Sequence, residues 1–155
     1  MESSKVKARV ICNPASSGGG YEPNELHREI EGYELEWITT ESPGDAREAA
    51  REWRDGQLIV VGGDGTISEV VNGLGQAGFP EGVTLAILPA GTGNDLAATL
   101  TLPEDPAEAV AVLRQNRVRT LDVVRVRSEG SGEQFFINVA TGGWGRRFPA
   151  PPTER

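Results

Sequence analysis

The stretch LIVVGGDGT, residues 58–66, decides how this chain folds, because a run of aliphatic residues ends there in glycines, a carboxylate and a hydroxyl. The aliphatic run predicts a buried strand, and the periodic residues 67–74 predict a helix directly after the turn. Glycines let a backbone approach a ligand closely, and the free N–H groups at a helix N-terminus favour an anion such as phosphate.

Asp64 adds a negative charge to this turn, which repels a bare phosphate. The charge is compatible with phosphate if Mg²⁺ or a proton-donating hydroxyl lies between them. The stretch therefore predicts a nucleotide phosphate site. The alternative is ordinary turn chemistry, in which Asp64 or Thr66 caps the following helix.

Length and composition indicate one globular domain. The chain has 155 residues, of which 37% are apolar and 25% charged, and a chain of this length buries one real core. It contains no apolar run near the ~20 residues that a membrane-spanning helix needs. Residues 1–5 lack the hydrophobic region of a secretory signal, so we expect the protein in the cytoplasm.

Charge and metal-binding residue types exclude two further classes. The net charge is −8, with 23 acidic residues against 15 basic ones, which disfavours general nucleic-acid binding because phosphate backbones require a basic face. The single cysteine, Cys12, excludes an internal disulfide. The single histidine, His27, has no Cys or His neighbour in the sequence, so a zinc site has almost no support.

Strands and helices alternate from residue 8 to residue 115, which predicts a doubly wound α/β fold: a mostly parallel sheet with helices on both faces. We predict strands at 8–12, 34–39, 57–61 and 83–88. Two further strands, 118–127 and 134–141, are predicted to be joined by a hairpin. The sequence thus divides into a nucleotide-binding domain at 1–117, the first strands of an incomplete β-domain at 118–145, and a disordered tail at 146–155.

Three glycine- and hydroxyl-containing turns follow predicted strands: residues 13–20, 62–66 and 89–95. Because ligands of such sheets bind at the carboxyl ends of the strands, we expect the three turns to converge on one crevice. Taken alone, the first turn is equally well explained as a flexible loop. Glu69 and Asn72 are expected to face either the phosphate loop or solvent.

These motifs resemble the catalytic domain of diacylglycerol kinases and related lipid kinases, including sphingosine kinases. The matching stretches are Asn13-Pro14, Gly62-Gly63-Asp64-Gly65-Thr66 with Glu69 and Asn72-Gly73, Pro89 through Gly91-Thr92-Gly93-Asn94-Asp95, Thr120-Leu121-Asp122, and Phe136-Ile137-Asn138-Val139-Ala140. The central motif is shared with NAD kinases and, more loosely, with phosphofructokinases. The Gly-Thr-Gly-Asn-Asp block favours the lipid kinases.

The resemblance implies the fold of the NAD kinase and diacylglycerol kinase N-terminal domain, and ATP-dependent transfer of the γ-phosphoryl group to a lipid hydroxyl with Mg²⁺. It implies catalytic roles for Asp64, Asp95 and Asp122, which would organise Mg²⁺ through water. The chain has no P-loop motif. The nucleotide-binding positions implied by the resemblance are Asn13, Pro14, Ala15, Ser16, Ser17, Thr40, Gly62, Gly63, Asp64, Gly65, Thr66, Ile67, Ser68, Glu69, Gly91, Thr92 and Asn94.

Two departures from the family pattern matter. Ser17 precedes Gly18, which leaves the register of the first loop open. Members of the family also continue into a β-sandwich domain that carries the general base and much of the lipid pocket, and these are expected beyond Arg155. The apolar faces of strands 118–127 and 134–141 then lack partners, so we expect either a homodimer or a separate C-terminal half.

The expected acceptor is a lipid at a membrane surface, which the protein would visit transiently. Two alternatives stay open at this point. One is a non-catalytic nucleotide-binding module with the same fold, and the other is a relative of the NAD kinases.

Overall fold

The computed structural model describes residues 5–16, 21–128 and 132–138. Strands and helices alternate through most of the chain, which confirms the α/β class. The elements, in chain order, are β1 (Val6–Cys12), α1 (Pro23–Glu29), β2 (Tyr33–Thr39), α2 (Asp45–Glu52), β3 (Gly56–Gly62), α3 (Asp64–Gln76), β4 (Val83–Pro89), α4 (Asp95–Thr99), α5 (Pro106–Arg114), β5 (Val124–Ser128) and β6 (Gly132–Phe136).

The first four strands form one parallel sheet in the order β2-β1-β3-β4. From Gln57 to Gly62 every residue of β3 is buried, as expected for an inner parallel strand covered on both faces. The chain leaves β1 toward β2 on one side and returns to β3 on the other. The carboxyl ends of β1 and β3 therefore flank the topological switch point, where ligands of such sheets bind.

Two apolar clusters cover the two faces of the sheet, because successive residues of a strand point to opposite sides. On one face, Ala8 and Val10 pack with residues of α1 and α5. On the other face, Ile11 and Val60 pack with residues of α2 and α3. This arrangement confirms the predicted helices on both faces, and it fixes α3 firmly against the sheet.

Helices α2 and α3 each bury an apolar stripe against the sheet. In α2 the stripe is Ala46, Ala49 and Ala50, with Trp53 half-buried after the helix; in α3 it is Ile67, Val70, Val71 and Leu74. Helix α5 has a capped N-terminus, since the Asp105 side chain accepts a hydrogen bond from the Glu108 amide and Pro106 is the first helical residue.

The last two strands differ from the prediction in their bounds. The strand expected from residue 118 begins at Val124, because residues 117–122 are exposed and pair with no strand among the described residues. Its partner β6 begins earlier than expected, at Gly132, and ends at Phe136. The two form an antiparallel ribbon, as the predicted hairpin requires. Residues 139–141 of the predicted strand and the predicted tail at 146–155 lie outside the described residues.

Candidate active site

A cleft of about 590 Å³ opens at the carboxyl end of the parallel sheet. Its walls are residues 13–16 after β1, residues 39–43 at and beyond the end of β2, and the first turns of α3 after β3. The predicted convergence therefore holds for two of the three glycine-containing turns. A third wall comes from the segment after β2, from which only Thr40 was predicted.

A side-chain amide joins the first turn to the central one. The Asn13 Nδ2 donates a hydrogen bond to the Thr66 Oγ1 over 3.1 Å, and the Asn13 Oδ1 accepts one from the Ala15 amide over 3.0 Å. Thr66 is buried. Asn13 thus shapes its own loop and holds it against the N-terminus of α3, so that both loops present their backbone to the same space.

Two carboxylates fix the rim of the cleft after β2. The Glu69 Oε2 accepts a hydrogen bond from the Gly44 amide over 3.0 Å. The Asp45 Oδ2 accepts one from the Glu41 amide and one from the Ser42 amide, each over 2.8 Å. These two backbone bonds lower the pKa of the Asp45 carboxyl below its usual value. Both carboxylates therefore position backbone at the cleft.

The third glycine-containing turn, residues 89–95, contacts the central turn but does not line the cleft. A Cβ on Gly91 would lie 2.5 Å from the Gly63 Cα, so only glycines allow this approach. Asn94 adopts φ +51°, a left-handed conformation that asparagine tolerates. Its amide closes the turn by accepting from the Gly91 N–H and donating to the Gly91 carbonyl. Gly91 and Asn94 support the central turn and Thr92 is exposed, and none of the three lines the cleft.

Asp64 is the first residue of α3, whose N-cap is Gly63, so neither Asp64 nor Thr66 is the N-cap of that helix. The Asp64 carboxylate instead accepts hydrogen bonds from the Asp95 amide over 2.9 Å and the Leu96 amide over 3.1 Å. It therefore holds the start of α4. The Asn138 Nδ2 also approaches the Asp64 Oδ1, at 3.5 Å.

The structure brings together two of the three predicted catalytic aspartates. The carboxylates of Asp64 and Asp95 both lie beside Gly93. A Cβ placed on Gly93 would be 3.3 Å from the Asp64 Oδ2 and 3.9 Å from the Asp95 Oδ1. Asp122 is exposed in the segment before β5. Among the described residues no three acidic, histidine or cysteine side chains are grouped to hold a metal directly. The role of the three aspartates in organising Mg²⁺ through water stays a prediction.

The other predicted positions divide into lining and supporting residues. Ile67 packs into the core, Ser68 is exposed on the outer face of α3, and Gly62 ends β3 where a Cβ would meet the Thr66 side chain at 2.8 Å. Ser17 lies outside the described residues. Predicted residues that line the cleft are Asn13, Pro14, Ala15, Ser16, Thr40, Gly63, Gly65, Thr66 and Glu69.

Some functional candidates were missed by sequence reasoning. Glu41, Ser42 and Pro43 line the cleft, and the signal for them is the Pro-Gly turn at the carboxyl end of β2. Asn72 faces neither the phosphate loop nor solvent: it is 6% exposed and hydrogen-bonded to the backbone of Phe135. Both expectations for Asn72 were therefore wrong, because hairpin β5–β6 covers that face of α3.

The charge of the cleft limits how it can hold an anion. None of the described residues that line it is lysine or arginine, and two, Glu41 and Glu69, are acidic. The backbone amides of Asn13, Ala15, Ser16, Thr40, Glu41 and Ser42 are already hydrogen-bonded within the protein. A bound anion must therefore be neutralised by the N–H groups of the α3 N-terminus, or by a cation that it brings with it.

Fold and site together define a parallel α/β protein with a glycine-containing cleft at the switch point of its sheet. A family model described as the diacylglycerol kinase catalytic domain matches residues 7–126. The chain belongs to this family. It is 37% identical over 146 residues to a diacylglycerol kinase of Staphylococcus saprophyticus, and 39% identical over 145 residues to one of Bacillus subtilis.

A solved structure of a diacylglycerol kinase from Bacillus anthracis has the same fold, with a TM-score of 0.63 and 35% identity over 76% of this chain. The alignments with the two curated relatives cover 90% and 88% of this chain but only 46% of each relative. The chain thus spans less than half the length of these relatives. None of the described helices is long and apolar enough to cross a membrane.

Proposed function

We propose that the cleft binds the phosphates of ATP with Mg²⁺, and that the chain is the nucleotide-binding part of a lipid kinase. The observation that carries the proposal is the meeting of residues 13–16, 39–43 and 63–69 around one cleft at the switch point. Phosphoryl transfer needs alignment and charge neutralisation more than covalent chemistry, and backbone amides at a helix N-terminus supply both.

The proposed roles follow from position. The backbone N–H groups of Gly63 to Thr66 would hold phosphate oxygens. In residues 13–16 the amides of Asn13, Ala15 and Ser16 are already hydrogen-bonded within the protein, so this loop would contribute the Ser16 hydroxyl. Thr40 and the rim after β2 would contact the rest of the nucleotide. Mg²⁺ would supply the positive charge that the described lining lacks. Asp64 and Asp95 would orient water molecules of the metal, with Asp122 as a third candidate.

The proposed acceptor is the hydroxyl of a lipid at a membrane surface, with diacylglycerol as the class that the relatives' names indicate. The general base and most of the lipid pocket belong, in this proposal, to a part that the 155 residues do not supply. A nucleotide-binding module without transferase activity would share the cleft, and a relative of the NAD kinases would share the central motif.

Two measurements test the proposal. Calorimetric titration of the chain with ATP is expected to show binding that requires Mg²⁺ and disappears with a chelator; no binding at millimolar nucleotide would overturn it. A chimera that joins residues 1–138 to the C-terminal part of the Bacillus subtilis relative is expected to phosphorylate diacylglycerol in vesicles. Nucleotide binding by a folded chimera without transfer would favour the non-catalytic module, and transfer to NAD instead would favour the NAD kinases.

A further inference from the structure

The side chain of Asn72, in the middle of α3, pairs with the backbone of β6 at two points. The Asn72 Nδ2 donates a hydrogen bond to the Phe135 carbonyl over 3.0 Å, and the Phe135 amide donates one to the Asn72 Oδ1 over 2.9 Å. Asn72 Nδ2 also donates to the Ser68 carbonyl over 2.9 Å. The buried amide thus makes the contacts that a neighbouring strand would make, and it satisfies its polar atoms.

An aromatic ring anchors the same point of the ribbon. Phe135 is 6% exposed, and its ring lies so close to Gly75 that any Cβ there would collide with it. The ring also meets Phe79 edge to face, with centroids 5.2 Å apart. Apolar contact of this kind holds the ribbon against α3 but is not directional. The two amide hydrogen bonds are directional, and they select which backbone residue lies at Asn72.

From this anchor the chain runs back along α3 toward the cleft. Asn72 and Asp64 are eight residues apart on α3, a rise of roughly 12 Å. Phe135 and Asn138 are three residues apart, a span of at most about 10 Å. The segment of α3 from Asn72 to Asp64 and the segment from Phe135 to Asn138 therefore end at the same place, where the Asn138 Nδ2 lies 3.5 Å from the Asp64 Oδ1. A slip of one residue at Phe135 would reverse the facing of the β6 side chains and displace Asn138 by roughly 3.3 Å along the chain, away from Asp64.

We infer that Asn72 is a positioning residue: it fixes the register of residues 132–138 along α3 and thereby delivers the Asn138 amide to the Asp64 carboxylate. Asn138 then acts as a third donor to that carboxylate, beside the Asp95 and Leu96 amides. Three donors hold the charge of Asp64 in one orientation and partly neutralise it beside the phosphates. The effect on nucleotide rests on the proposed function, whereas the register does not.

The register is tested without nucleotide by NMR of the Asn138 side-chain amide. In the otherwise unchanged chain, Asp64→Asn is expected to shift these amide signals. The variant Asn72→Asp keeps the shape of Asn72 but replaces the donor group of its side chain by a carboxylate oxygen. In a chain that carries this variant, Asp64→Asn is expected to leave the Asn138 side-chain amide signals unchanged. Gln76→Ala, at the end of α3, is the matched control and should preserve the shift. A shift of equal size with and without Asn72→Asp would overturn the inference.

The consequence for the cleft is tested by a double-mutant cycle on the affinity for ATP with Mg²⁺. Asn72→Asp and Asn138→Ala are each expected to weaken binding about tenfold, or about 1.4 kcal/mol. Since both remove the same contact to Asp64, the double variant should also be about tenfold weaker. A hundredfold loss in the double variant would show independent action and overturn the inference.

Folding controls keep the outcomes separate. If Asn72→Asp unfolds the chain, Asn72→Ala, which introduces no charge, replaces it in both experiments. Asn138→Ala changes an exposed residue and should therefore retain the thermal midpoint of the wild type. If the wild-type chain binds no ATP with Mg²⁺, the proposed function fails. The NMR shifts still decide whether Asn72 positions Asn138.

Discussion

The parallel sheet and the ribbon β5–β6 are held in place by different kinds of contact. The sheet is buried between two apolar clusters that contain residues of all five described helices. The ribbon exposes the side chains of Val124 and Val126, at 58% and 42%, and it is fastened to α3 through Phe135 and Asn72. Many apolar contacts define the first region, whereas the second adds one buried ring, Phe135, to the cluster on that face and is oriented by the two hydrogen bonds of Asn72.

This difference has consequences for both sequence interpretation and mutation. A change within the packed layers is spread over the whole cooperative unit, so every probe of unfolding should report it. A change at the anchor of the ribbon should release the ribbon while the sheet stays intact, because opening of this kind is local. Helix α3 belongs to both regions, since its first turn lines the cleft and its middle carries the anchor.

The largest expected effect is that of Gly73→Ala on the packed layers. A Cβ on Gly73 would collide with the Arg47 carbonyl on α2 and lie 3.0 Å from the Ala50 Cβ. Overpacking of this kind costs about 1–3 kcal/mol, which exceeds the gain of roughly 1 kcal/mol from alanine over glycine in a helix. Urea unfolding should therefore show a net loss of stability, and every spectroscopic probe should report the same midpoint.

Gly65→Ala is the matched control on the same helix. A Cβ on Gly65 meets no atom within 4 Å, and its φ is not in the left-handed range, so this variant should be as stable as the wild type or more so. If both glycine variants were stabilised equally, the close packing of α2 on α3 would be refuted.

Phe135→Ala is expected to have a smaller effect on the unfolding midpoint of the sheet and a local effect on the ribbon. Truncation of a buried phenylalanine costs about 3–5 kcal/mol in a well-packed core, but here the loss should be confined to the ribbon. Hydrogen-exchange mass spectrometry should show faster exchange for peptides that cover 124–136 and unchanged exchange for β3. Faster exchange in β3 by the same factor would mean that sheet and ribbon form one cooperative unit. This result would contradict the local attachment of the ribbon.

The smallest effect is expected from the rim carboxylate Asp45. Backbone hydrogen bonds from Glu41 and Ser42 lower its pKa in the folded protein, so its contribution is complete above the unfolded pKa of about 3.9. That contribution is lost as the pH falls through the lower, folded value. NMR titration should place the pKa of Asp45 below 3.9 (roughly the unperturbed value), and Asp45→Asn should remove the titration and loosen residues 41–44. A pKa at or above the usual value would contradict the role given to the rim.

Sequence reasoning succeeded where pattern alone decides the structure. The run that forms β3 is set by burial on both faces of the sheet, and the stripe at Ile67, Val70, Val71 and Leu74 by burial of one helix face. Apolar runs and periodicity are sufficient to find both. The carboxyl-end rule then places Asn13 and the Gly63–Thr66 turn at one cleft.

It failed where a side chain bonds to a backbone distant in sequence. Asp64 holds the start of α4, and Asn72 holds Phe135, a residue 63 positions away. No local pattern distinguishes these uses from a helix cap or an exposed polar face. The same reason explains why Asn138 was left out of the predicted site: its position depends on the register of a ribbon whose bounds the sequence does not define.

The most direct test of the account is calorimetric titration of Gly65→Leu with ATP and Mg²⁺. Because a Cβ at this position has open space around it at the cleft, leucine should keep the fold and occupy the space proposed for phosphate. We expect at least a hundredfold loss of affinity, or about 2.7 kcal/mol, with an unfolding midpoint no lower than that of the wild type. Unchanged affinity in a folded Gly65→Leu chain would contradict the assignment of this cleft as the phosphate site.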